Sequence, residues 1–284
     1  MARHAPVPPP YRAALVAALT ARGNILSETP DARWARLVWT CGVAADGDPR
    51  QAVPVAAAVE LFMVALDLLD DAEDGEETLV GAALGPARAL NVSTGLLLLA
   101  QRGLLSTGGA FAVDLLLDAG LQACGGQDAD LMPRPARDVG VEEALGITAG
   151  KSAPLTAAAC RLGALAAGGD VATQERYARF GSYLGMVAQL TNDIAALHSG
   201  DSCKKTDVAL CRPTVPLVYA AACTNAVNAT TNLDDVRDAL WTDGPVHLTW
   251  AVAETYRRYA LDLIPALTST PTGRIALAGL LPRL

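Results

Sequence analysis

The stretch LFMVALDLLDDAEDGEE, residues 61–77, joins an apolar run to a dense group of carboxylates. Seven acidic residues fall within positions 67–77, and no lysine or arginine occurs within 51–87 to neutralise them. Carboxylates crowded at the end of a buried segment repel one another unless cations hold them together. The stretch therefore predicts a buried helix that ends at a site for divalent metal ions.

The acidic residues have a regular spacing, since Asp70-Asp71-Ala72-Glu73-Asp74 reads DDxxD. On a helix, Asp70 and Asp74 lie one turn apart on the same face. Their hard oxygen atoms suit Mg²⁺, which completes its shell with water and substrate phosphate. We therefore predict Asp70, Asp71 and Asp74 as metal ligands; the ordinary alternative is a solvated, acidic helix end.

Lysine is rare in this chain, which contains only Lys151, Lys204 and Lys205. Arginine is the basic residue at all other positions of the chain. The compact ammonium group of lysine at these three positions therefore indicates recognition of phosphate. Lys151 lies in an otherwise apolar segment, and a buried lysine needs a partner. The ordinary alternative for Lys151 is therefore a salt bridge to a carboxylate.

Two further segments give weaker signals. Gln189 and Asp193 lie four positions apart on one helical face, and Asn192 and Asp193 can both offer oxygen to a metal ion. The ordinary alternative is a hydrogen-bonded Gln–Asp pair within the helix. Gly125 and Gly126 can allow two helices to approach closely, but a loop between helices gives the same pattern.

Composition favours one all-α domain over residues 1–284, because alanine and leucine dominate and no linker or low-complexity stretch divides the chain. A hydrophobic content of 51% supports a large core. The net charge of −8 argues against nucleic acid as a partner. We expect the proline-rich residues 1–10 to be flexible.

Cysteine usage and hydropathy indicate a cytoplasmic protein. The six cysteines are scattered without a CxxC pair, which favours buried or neutral thiols in a reducing compartment over a zinc site. Residues 1–11 lack the apolar segment of a signal peptide. Charged or polar residues interrupt the longest apolar runs, so we expect no membrane insertion.

Capping and breaking residues predict several helix boundaries. Asp31 is a candidate cap for the second helix, and Pro54 is a favourable first residue for the helix that carries the acidic stretch. Residues 91–105 and 111–124 read as two separate helices. Pro154 should kink a later long helix or end its first half.

Five segments in chain order match the motifs of one family: Leu68–Asp74, Gly126–Leu131, Gly150–Ser152, Phe180–Asp193, and Asp207 with Arg212–Leu217. They resemble, respectively, the first aspartate-rich motif, the GQxxDL segment, the K-[TS] position, the approach to the second aspartate-rich motif and the D…KxTLP segment of the trans-isoprenyl diphosphate synthases. This polyprenyl synthetase superfamily has the class I terpenoid synthase fold. The resemblance implies an all-α bundle around a central apolar cavity, with two aspartate-rich helix ends facing each other across its mouth.

The resemblance also implies the ligands. A prenyl diphosphate and three Mg²⁺ ions would lie between the two acidic helix ends, with Asn192 and Asp193 completing the metal ligands. The residues that would contact the diphosphate or its metals are Lys151, Gln189, Lys204, Lys205, Arg212 and Gln127. A loop at 199–213 would close over them, and we expect a homodimer.

In the family, bulk just before the first aspartate-rich motif limits the length of the prenyl chain. The corresponding residues here are Phe62, Ala65 and Leu66, which lie one to two helical turns before the metal site. Ala65 is small and Leu66 is moderate in size. We therefore expect a deep cavity floor with Phe62 as its lower stop.

The chain departs from the family pattern where chain-elongating members bind a second diphosphate. The lysine of their GGKR-like motif is missing from Asp31–Arg36, where Arg33 is the remaining candidate. Their arginine pair after the first motif is also missing, since no arginine occurs there before Arg88. The second motif is reduced to Asn192-Asp193-Ile194-Ala195-Ala196. The other cations can serve one diphosphate, so we expect ionisation of one allylic diphosphate without condensation with isopentenyl diphosphate.

Three functions are compatible with these features. The first is a terpene synthase, either a cyclase or a lyase, although an aromatic content of 5% disfavours a cyclase. The second is a prenyltransferase, which either uses a non-diphosphate acceptor such as an indole or a peptide, or elongates chains in the ordinary way. The third is a non-catalytic regulatory subunit that pairs with an active homologue.

Overall fold

A computed structural model describes residues 1–21, 31–75, 79–197, 212–223 and 233–283. All regular elements in these ranges are helices, with no strand among them. The α-helices are α1 (Pro9–Ala21), α2 (Arg33–Ala44), α3 (Pro49–Glu73), α4 (Leu79–Leu84), α5 (Pro86–Leu131), α6 (Val141–Ala166), α7 (Val171–Ala196), α8 (Val215–Cys223), α9 (Leu233–Thr242), α10 (Pro245–Leu267) and α11 (Pro271–Ala278). Short 3-10 turns lie at Ala2–His4 and Ala136–Asp138. The predicted all-α class is thus confirmed for the described residues.

The helices form two compact units. One unit contains Met1–Leu116 and Ala159–Gln174, and the other contains Leu117–Ala158 and Glu175–Leu284. The long helices α5, α6 and α7 each contribute residues to both units. The expectation of a single domain over the whole chain stays a prediction.

In the first unit, α2 and α3 pack against each other, and Val38, Ala58 and Val59 are fully buried. Gly42 on α2 and Gly163 on α6 lie at a tight crossing, because a Cβ on Gly42 would come within 3.1 Å of the Gly163 carbonyl oxygen. Absent side chains at this crossing let the two helices approach to backbone distance.

The second unit has its own core, formed by α7, α8, α9 and α10 together with part of α6. Leu190, Val218 and Leu240 are buried within it. The Tyr177 hydroxyl donates a hydrogen bond to the Leu267 carbonyl oxygen at 3.1 Å, which joins α7 to the end of α10. A buried tyrosine hydroxyl that finds such an acceptor stabilises the packing around it.

Residues 1–10 make specific contacts in the structure. Ala2 and Ala5 are buried, and Arg12 donates hydrogen bonds to the carbonyl oxygens of Ala5 and Val7, each at 3.1 Å. These contacts hold the segment against α1.

Two of the buried cysteines behave as the sequence predicts. Cys41 and Cys160 are buried free thiols, and burial together with a hydrogen bond to Cys41 raises the pKa of the Cys160 thiol. Cys124 on α5 is exposed. The two buried thiols contribute to the core as small apolar side chains.

The helix that carries the acidic stretch begins earlier than predicted. α3 starts at Pro49 rather than Pro54, and the Asp48 side chain caps it by accepting a hydrogen bond from the Arg50 N–H at 2.9 Å. A side-chain cap followed by proline at the first helical position is a stronger start signal than an isolated proline. Pro54 therefore lies inside the helix.

Two longer helices are predicted to be interrupted. The separate helices expected at 91–105 and 111–124 are found as two helical parts of α5, on either side of Gly109, whose backbone is not helical and has a positive φ of 74°. Glycine adopts this conformation at little cost. α6 continues through Pro154 to Ala166 instead of ending its first half there.

The start of α2 is capped from another helix. Asp31, the predicted cap, is not used, and α2 begins at Arg33 without a side-chain cap. Instead Glu60 of α3, which is 5% exposed, accepts the Ala35 N–H at 2.6 Å. Burial raises the pKa of Glu60, and the nearby Asp67 adds to this, whereas the Ala35 hydrogen bond acts in the opposite direction.

We expect the stability of a Glu60→Gln variant, relative to the wild type, to depend on pH. The pKa of folded Glu60 lies above its ordinary value of 4.5. The stabilisation associated with the protonated form is therefore lost as the pH rises through the folded pKa. The free energy of unfolding of Glu60→Gln minus that of the wild type should increase from about pH 4.5 towards neutrality, as measured by urea denaturation.

Glu254→Gln is the control for this experiment. Hydrogen bonds from Arg257 and Arg258 lower the pKa of Glu254, so its titration falls below the tested range. Its stability difference should be flat above about pH 4.5. An equally flat profile for Glu60→Gln would show that Glu60 titrates normally.

Among the described residues, two helices are long and apolar enough to cross a bilayer, contrary to the expectation from interrupted apolar runs. In α3, 67% of the apolar window is buried inside the protein, as in a core helix. In α5 the buried share is 28%, and Leu98, Leu105 and Phe111 are exposed. Core helices meet the same criteria of length and composition. The exposed apolar residues of α5 therefore need another explanation than burial in the core. We call Leu98, Leu105 and Phe111 the apolar face of α5.

Candidate active site

The first aspartate-rich motif forms the last turn of α3, which ends at Glu73 with Asp74 as its cap. The Asp74 N–H donates to the Asp70 carbonyl oxygen at 2.9 Å, so the two residues lie one helical turn apart, as predicted. Asp70, Asp71 and Asp74 are partly buried, whereas Glu73 is exposed. Gly75 follows with a left-handed φ of 65° and ends the helix.

The electrostatics of this helix end favour a bound cation. A helix C-terminus carries a partial negative charge, and the last turn of α3 contains no basic residue. Carboxylates at this position add negative charge to negative charge, which a divalent cation relieves. Carboxylate oxygens are also the ligands that Mg²⁺ prefers, so the donor atoms of Asp70, Asp71 and Asp74 are of the type that the expected metal needs.

Within the described ranges, no three or more His, Cys, Asp or Glu side chains are grouped so that they could hold a metal ion by themselves. The role of the three aspartates as metal ligands therefore stays a prediction. Lys204 and Lys205, together with most of the 199–213 loop, lie outside the described residues. Gln127 is partly buried on α5.

Two cationic side chains lie close to the carboxylate of Asp130 on α5. Its Oδ2 atom lies 3.2 Å from Lys151 Nζ and 3.8 Å from Arg212 Nη1. The Asp130 and Arg212 side chains are each 13% exposed, and that of Lys151 is 23% exposed, so solvent screens these charges weakly. The ordinary alternative for Lys151, a salt bridge to a carboxylate, is therefore present. Asp130 is a candidate site residue that the sequence analysis did not name.

The signal for Asp130 was its place in the GQxxDL segment, one helical turn after Gly126. A Cβ on Gly126 would clash with the backbone of Gly150 and Lys151, which places α5 and α6 in backbone contact at this point. The expected close approach of two helices is confirmed, and it sets Asp130 beside Lys151. Residues 124–131 are helical, so the alternative of a loop between helices is wrong.

Replacing Gly126 by alanine should lower the free energy of unfolding by roughly 3 kcal/mol, because the new methyl group meets backbone atoms that cannot move aside. Gly125 is a matched control in the same helix with open space around it. Gly125→Ala should be neutral or should stabilise by up to about 1 kcal/mol through helix propensity. Chemical denaturation gives the free energy of unfolding of both variants. Equal changes in the two variants would contradict the contact between α5 and α6.

A chain of hydrogen bonds joins α6 to the second aspartate-rich motif on α7. Ser152 Oγ donates to Gln189 Oε1 at 2.7 Å, and Gln189 Nε2 donates to Asp193 Oδ1 at 2.9 Å. Gly185, one turn before Gln189, allows this contact, since a Cβ there would lie 2.9 Å from the Ser152 carbonyl oxygen. The ordinary Gln–Asp pair is thus formed, and it extends to a second helix.

The two residues at the start of the second motif have different surroundings. Asp193 is 6% exposed and accepts the hydrogen bond from Gln189, whereas its neighbour Asn192 is exposed. Successive helical residues point about 100° apart, so these side chains do not share one direction. Their role as metal ligands stays a prediction.

The residues expected at the cavity floor lie in α3 before the first motif. Phe62 is 3% exposed and Ala65 is fully buried, whereas Leu66 is partly buried. Their burial is compatible with an interior position, and their part in limiting chain length stays a prediction.

Residues 27–238, more than half of the chain, match the polyprenyl synthetase family. The chain belongs to this family. The match spans all five segments on which the resemblance rests, from the acidic end of α3 to the segment that leads into α8.

Two mycobacterial relatives are named as prenyl diphosphate synthases. A geranylgeranyl diphosphate synthase of Mycobacterium tuberculosis is 34% identical over 209 residues, which cover 66% of this chain and 57% of that protein. A (2E,6E)-farnesyl diphosphate synthase of Mycobacterium bovis is 32% identical over 169 residues, which cover 57% of this chain and 47% of that protein. The chain thus spans about half the length of the curated relatives it matches.

Solved structures share the fold. A geranylgeranyl pyrophosphate synthase superposes with a TM-score of 0.84 at 21% identity, covering 98% of this chain and 91% of that one. A polyprenyl synthetase from Streptomyces coelicolor A3(2) gives a TM-score of 0.78 at 24% identity, covering 98% and 92%. These similarities confirm the all-α class I terpenoid synthase fold.

Proposed function

We propose that the protein is a Mg²⁺-dependent enzyme that ionises an allylic prenyl diphosphate without adding isopentenyl diphosphate to it. The observation that carries the proposal is the acidic end of α3, where Asp70, Asp71 and Asp74 stand at a helix C-terminus with no basic residue in the last turn. Bound Mg²⁺ would supply a Lewis acid for the departing diphosphate. The family and its named relatives support prenyl diphosphate as the substrate class.

Lys151, Arg212 and Gln189 would bind and orient the leaving group. Lys151 and Arg212 supply positive charge for charge-assisted hydrogen bonds to diphosphate oxygens. The Gln189 amide is held by Ser152 and Asp193, so it offers a fixed hydrogen-bonding geometry rather than charge. The same proposal includes three Mg²⁺ ions, with Asn192 and Asp193 as further ligands.

In the part of the chain that the structure describes, little buried positive charge is left for a second diphosphate. Arg33, Arg36 and Arg88 could replace the missing family cations, but all three are exposed. The charge of Arg33 also lowers the pKa of the buried Glu60, so it is partly engaged there. Exposed ion pairs are weak because water and salt screen them. This distribution of charge favours a terpene synthase over a chain-elongating enzyme.

An ordinary chain-elongating prenyl diphosphate synthase is the second candidate, and the names of the two mycobacterial relatives favour it. Purified protein incubated with Mg²⁺ and allylic diphosphates of increasing length separates the functions. A terpene hydrocarbon or alcohol, formed with release of inorganic diphosphate, supports the proposal. A longer prenyl diphosphate, formed with isopentenyl diphosphate, supports the second candidate. The preferred substrate length also tests the floor assigned to Phe62, Ala65 and Leu66.

Two other outcomes of the same experiment have a defined meaning. Turnover that requires an added indole or peptide identifies a prenyltransferase with a non-diphosphate acceptor. No turnover with any substrate supports a regulatory subunit and rejects the proposed ionisation.

We also propose that a second copy of this chain covers the apolar face of α5. Leu98, Leu105 and Phe111 are 61%, 57% and 52% exposed, and Leu98 and Leu105 are seven positions apart on one helical face. Phe111 lies just beyond the non-helical Gly109. Exposed apolar side chains that are close together on a surface are typical of a protein interface. Light scattering should give the mass of a homodimer, and Leu105→Glu should shift the protein towards the monomer.

A further inference from the structure

Lys151 and Arg212 are close enough to act on one anion. Each nitrogen lies within 4 Å of the same Asp130 oxygen, at 3.2 Å for Lys151 Nζ and 3.8 Å for Arg212 Nη1. The two nitrogens are therefore no farther apart than the combined length of these two contacts. The oxygens of one diphosphate group can bridge such a pair, because phosphate accepts charge-assisted hydrogen bonds from lysine and arginine together.

We propose that the Asp130 carboxylate is a placeholder for the diphosphate, holding Lys151 and Arg212 together before substrate binds and releasing them to the diphosphate when it does. This inference rests on the proposed function, because it takes diphosphate as the anion that competes with Asp130. Asp130 is then a positioning residue, since it acts through the two cations rather than on the reacting atoms.

Burial makes a counterion necessary. The three side chains are between 13% and 23% exposed, so repulsion between Lys151 and Arg212 is weakly screened. The charge of Asp130 offsets this repulsion. A diphosphate carries more negative charge than one carboxylate, so it attracts both cations more strongly than Asp130 does.

The backbone keeps Asp130 in place while the cations can move. Gly126, one turn earlier, lies in backbone contact with Gly150 and Lys151, so α5 and α6 cannot slide without breaking this packing. Lysine and arginine side chains rotate about several bonds. The exchange therefore occurs by rotation of the Lys151 and Arg212 side chains towards the diphosphate, with Asp130 fixed.

The test is binding of inorganic diphosphate to the full-length protein, measured by isothermal titration calorimetry in the presence of EDTA so that no metal contributes. Asp130→Asn keeps the side-chain shape and removes the competing charge, so the dissociation constant should fall by about tenfold or more. Asp128→Asn is the matched control, because Asp128 is exposed on the same helix, and it should change the constant by less than about threefold. Adding Lys151→Gln to Asp130→Asn should remove the gain.

Structural damage would not make diphosphate bind more tightly, so a gain in affinity cannot come from misfolding. If the Asp130→Asn variant does not fold, Asp130→Ser replaces it and should show the same gain. Weaker or unchanged binding by the folded variant would overturn the placeholder role. The binding experiment tests the role of Asp130 independently of the proposed enzyme activity. A gain in diphosphate affinity, in a protein that turns over no prenyl diphosphate, would support the placeholder while rejecting the enzyme activity.

Discussion

Asp70→Asn is expected to slow allylic diphosphate ionisation by roughly a thousandfold or more. The substitution keeps the size of the side chain but removes a charged oxygen ligand from the acidic end of α3. Mg²⁺ would then bind more weakly, and the departing diphosphate would lose much of the positive charge that stabilises it. Release of inorganic diphosphate from the preferred allylic substrate measures the rate.

The same variant should be as stable as the wild type, or slightly more stable. Asp70 lies in the last turn of α3, at the negative end of the helix dipole and without a basic residue in that turn. Removing one negative charge there relieves an unfavourable interaction of about 0.3–1 kcal/mol. Thermal denaturation without Mg²⁺ measures this, and a large loss of rate at unchanged stability separates a ligand from a structural residue.

Glu73→Gln is the matched control for Asp70→Asn. Glu73 lies in the same helical turn and undergoes the same change of charge, but it is exposed and is not one of the three predicted ligands. It should keep the ionisation rate within about threefold of the wild type. If Asp70→Asn also turned over at the normal rate, another group would have to perform the role assigned to the first motif.

The acidic end of α3 was predictable from the sequence because it depends on local spacing. Asp70 and Asp74 lie one turn apart in any helix that contains them, and the lack of basic residues nearby is visible in the chain itself. Asp130 was not predictable in the same way, because its role depends on Gly126 contacting α6. That contact joins two helices, and residue spacing within one helix does not report it.

The caps of α3 and α2 differ in the same way, because one depends on local sequence and the other on a contact between helices. Asp48 is a local cap that precedes Pro49, and its effect could have been read from these two residues. The start of α2 could not, because Asp31 has the right residue type while the buried Glu60 of another helix accepts the hydrogen bond instead. A cap supplied by tertiary packing leaves no pattern in the neighbouring sequence.

The protein is expected not to elongate prenyl chains when it receives geranyl diphosphate, Mg²⁺ and labelled isopentenyl diphosphate. A lost charge-assisted contact to phosphate typically costs roughly 1.5–3 kcal/mol. The lysine of the basic motif and the arginine pair after Asp74 are both missing from the sequence. Loss of two or three such contacts weakens binding of a second diphosphate by a few orders of magnitude.

A gain-of-function variant makes this prediction sharper. Glu76 and Glu77 occupy the positions where chain-elongating members carry the arginine pair. Glu76→Arg combined with Glu77→Arg therefore changes the formal charge there from about −2 to about +2. If charge alone prevents binding of isopentenyl diphosphate, the double variant should form more labelled longer product than the wild type. Glu142→Arg with Glu143→Arg, an acidic pair in the first turn of α6, controls for a general change of net charge.

The elongation experiment decides between the two leading functions because their products differ in length. The wild type should release inorganic diphosphate from the allylic substrate while less than roughly 1% of it appears as a longer labelled prenyl diphosphate, in keeping with a few orders of magnitude in affinity. The exposed Arg33, Arg36 and Arg88 are the cations that could bind isopentenyl diphosphate instead, and their substitution by glutamine should then abolish elongation. Efficient elongation by the wild type would overturn the proposal, and it would make this chain an ordinary prenyl diphosphate synthase like its named mycobacterial relatives.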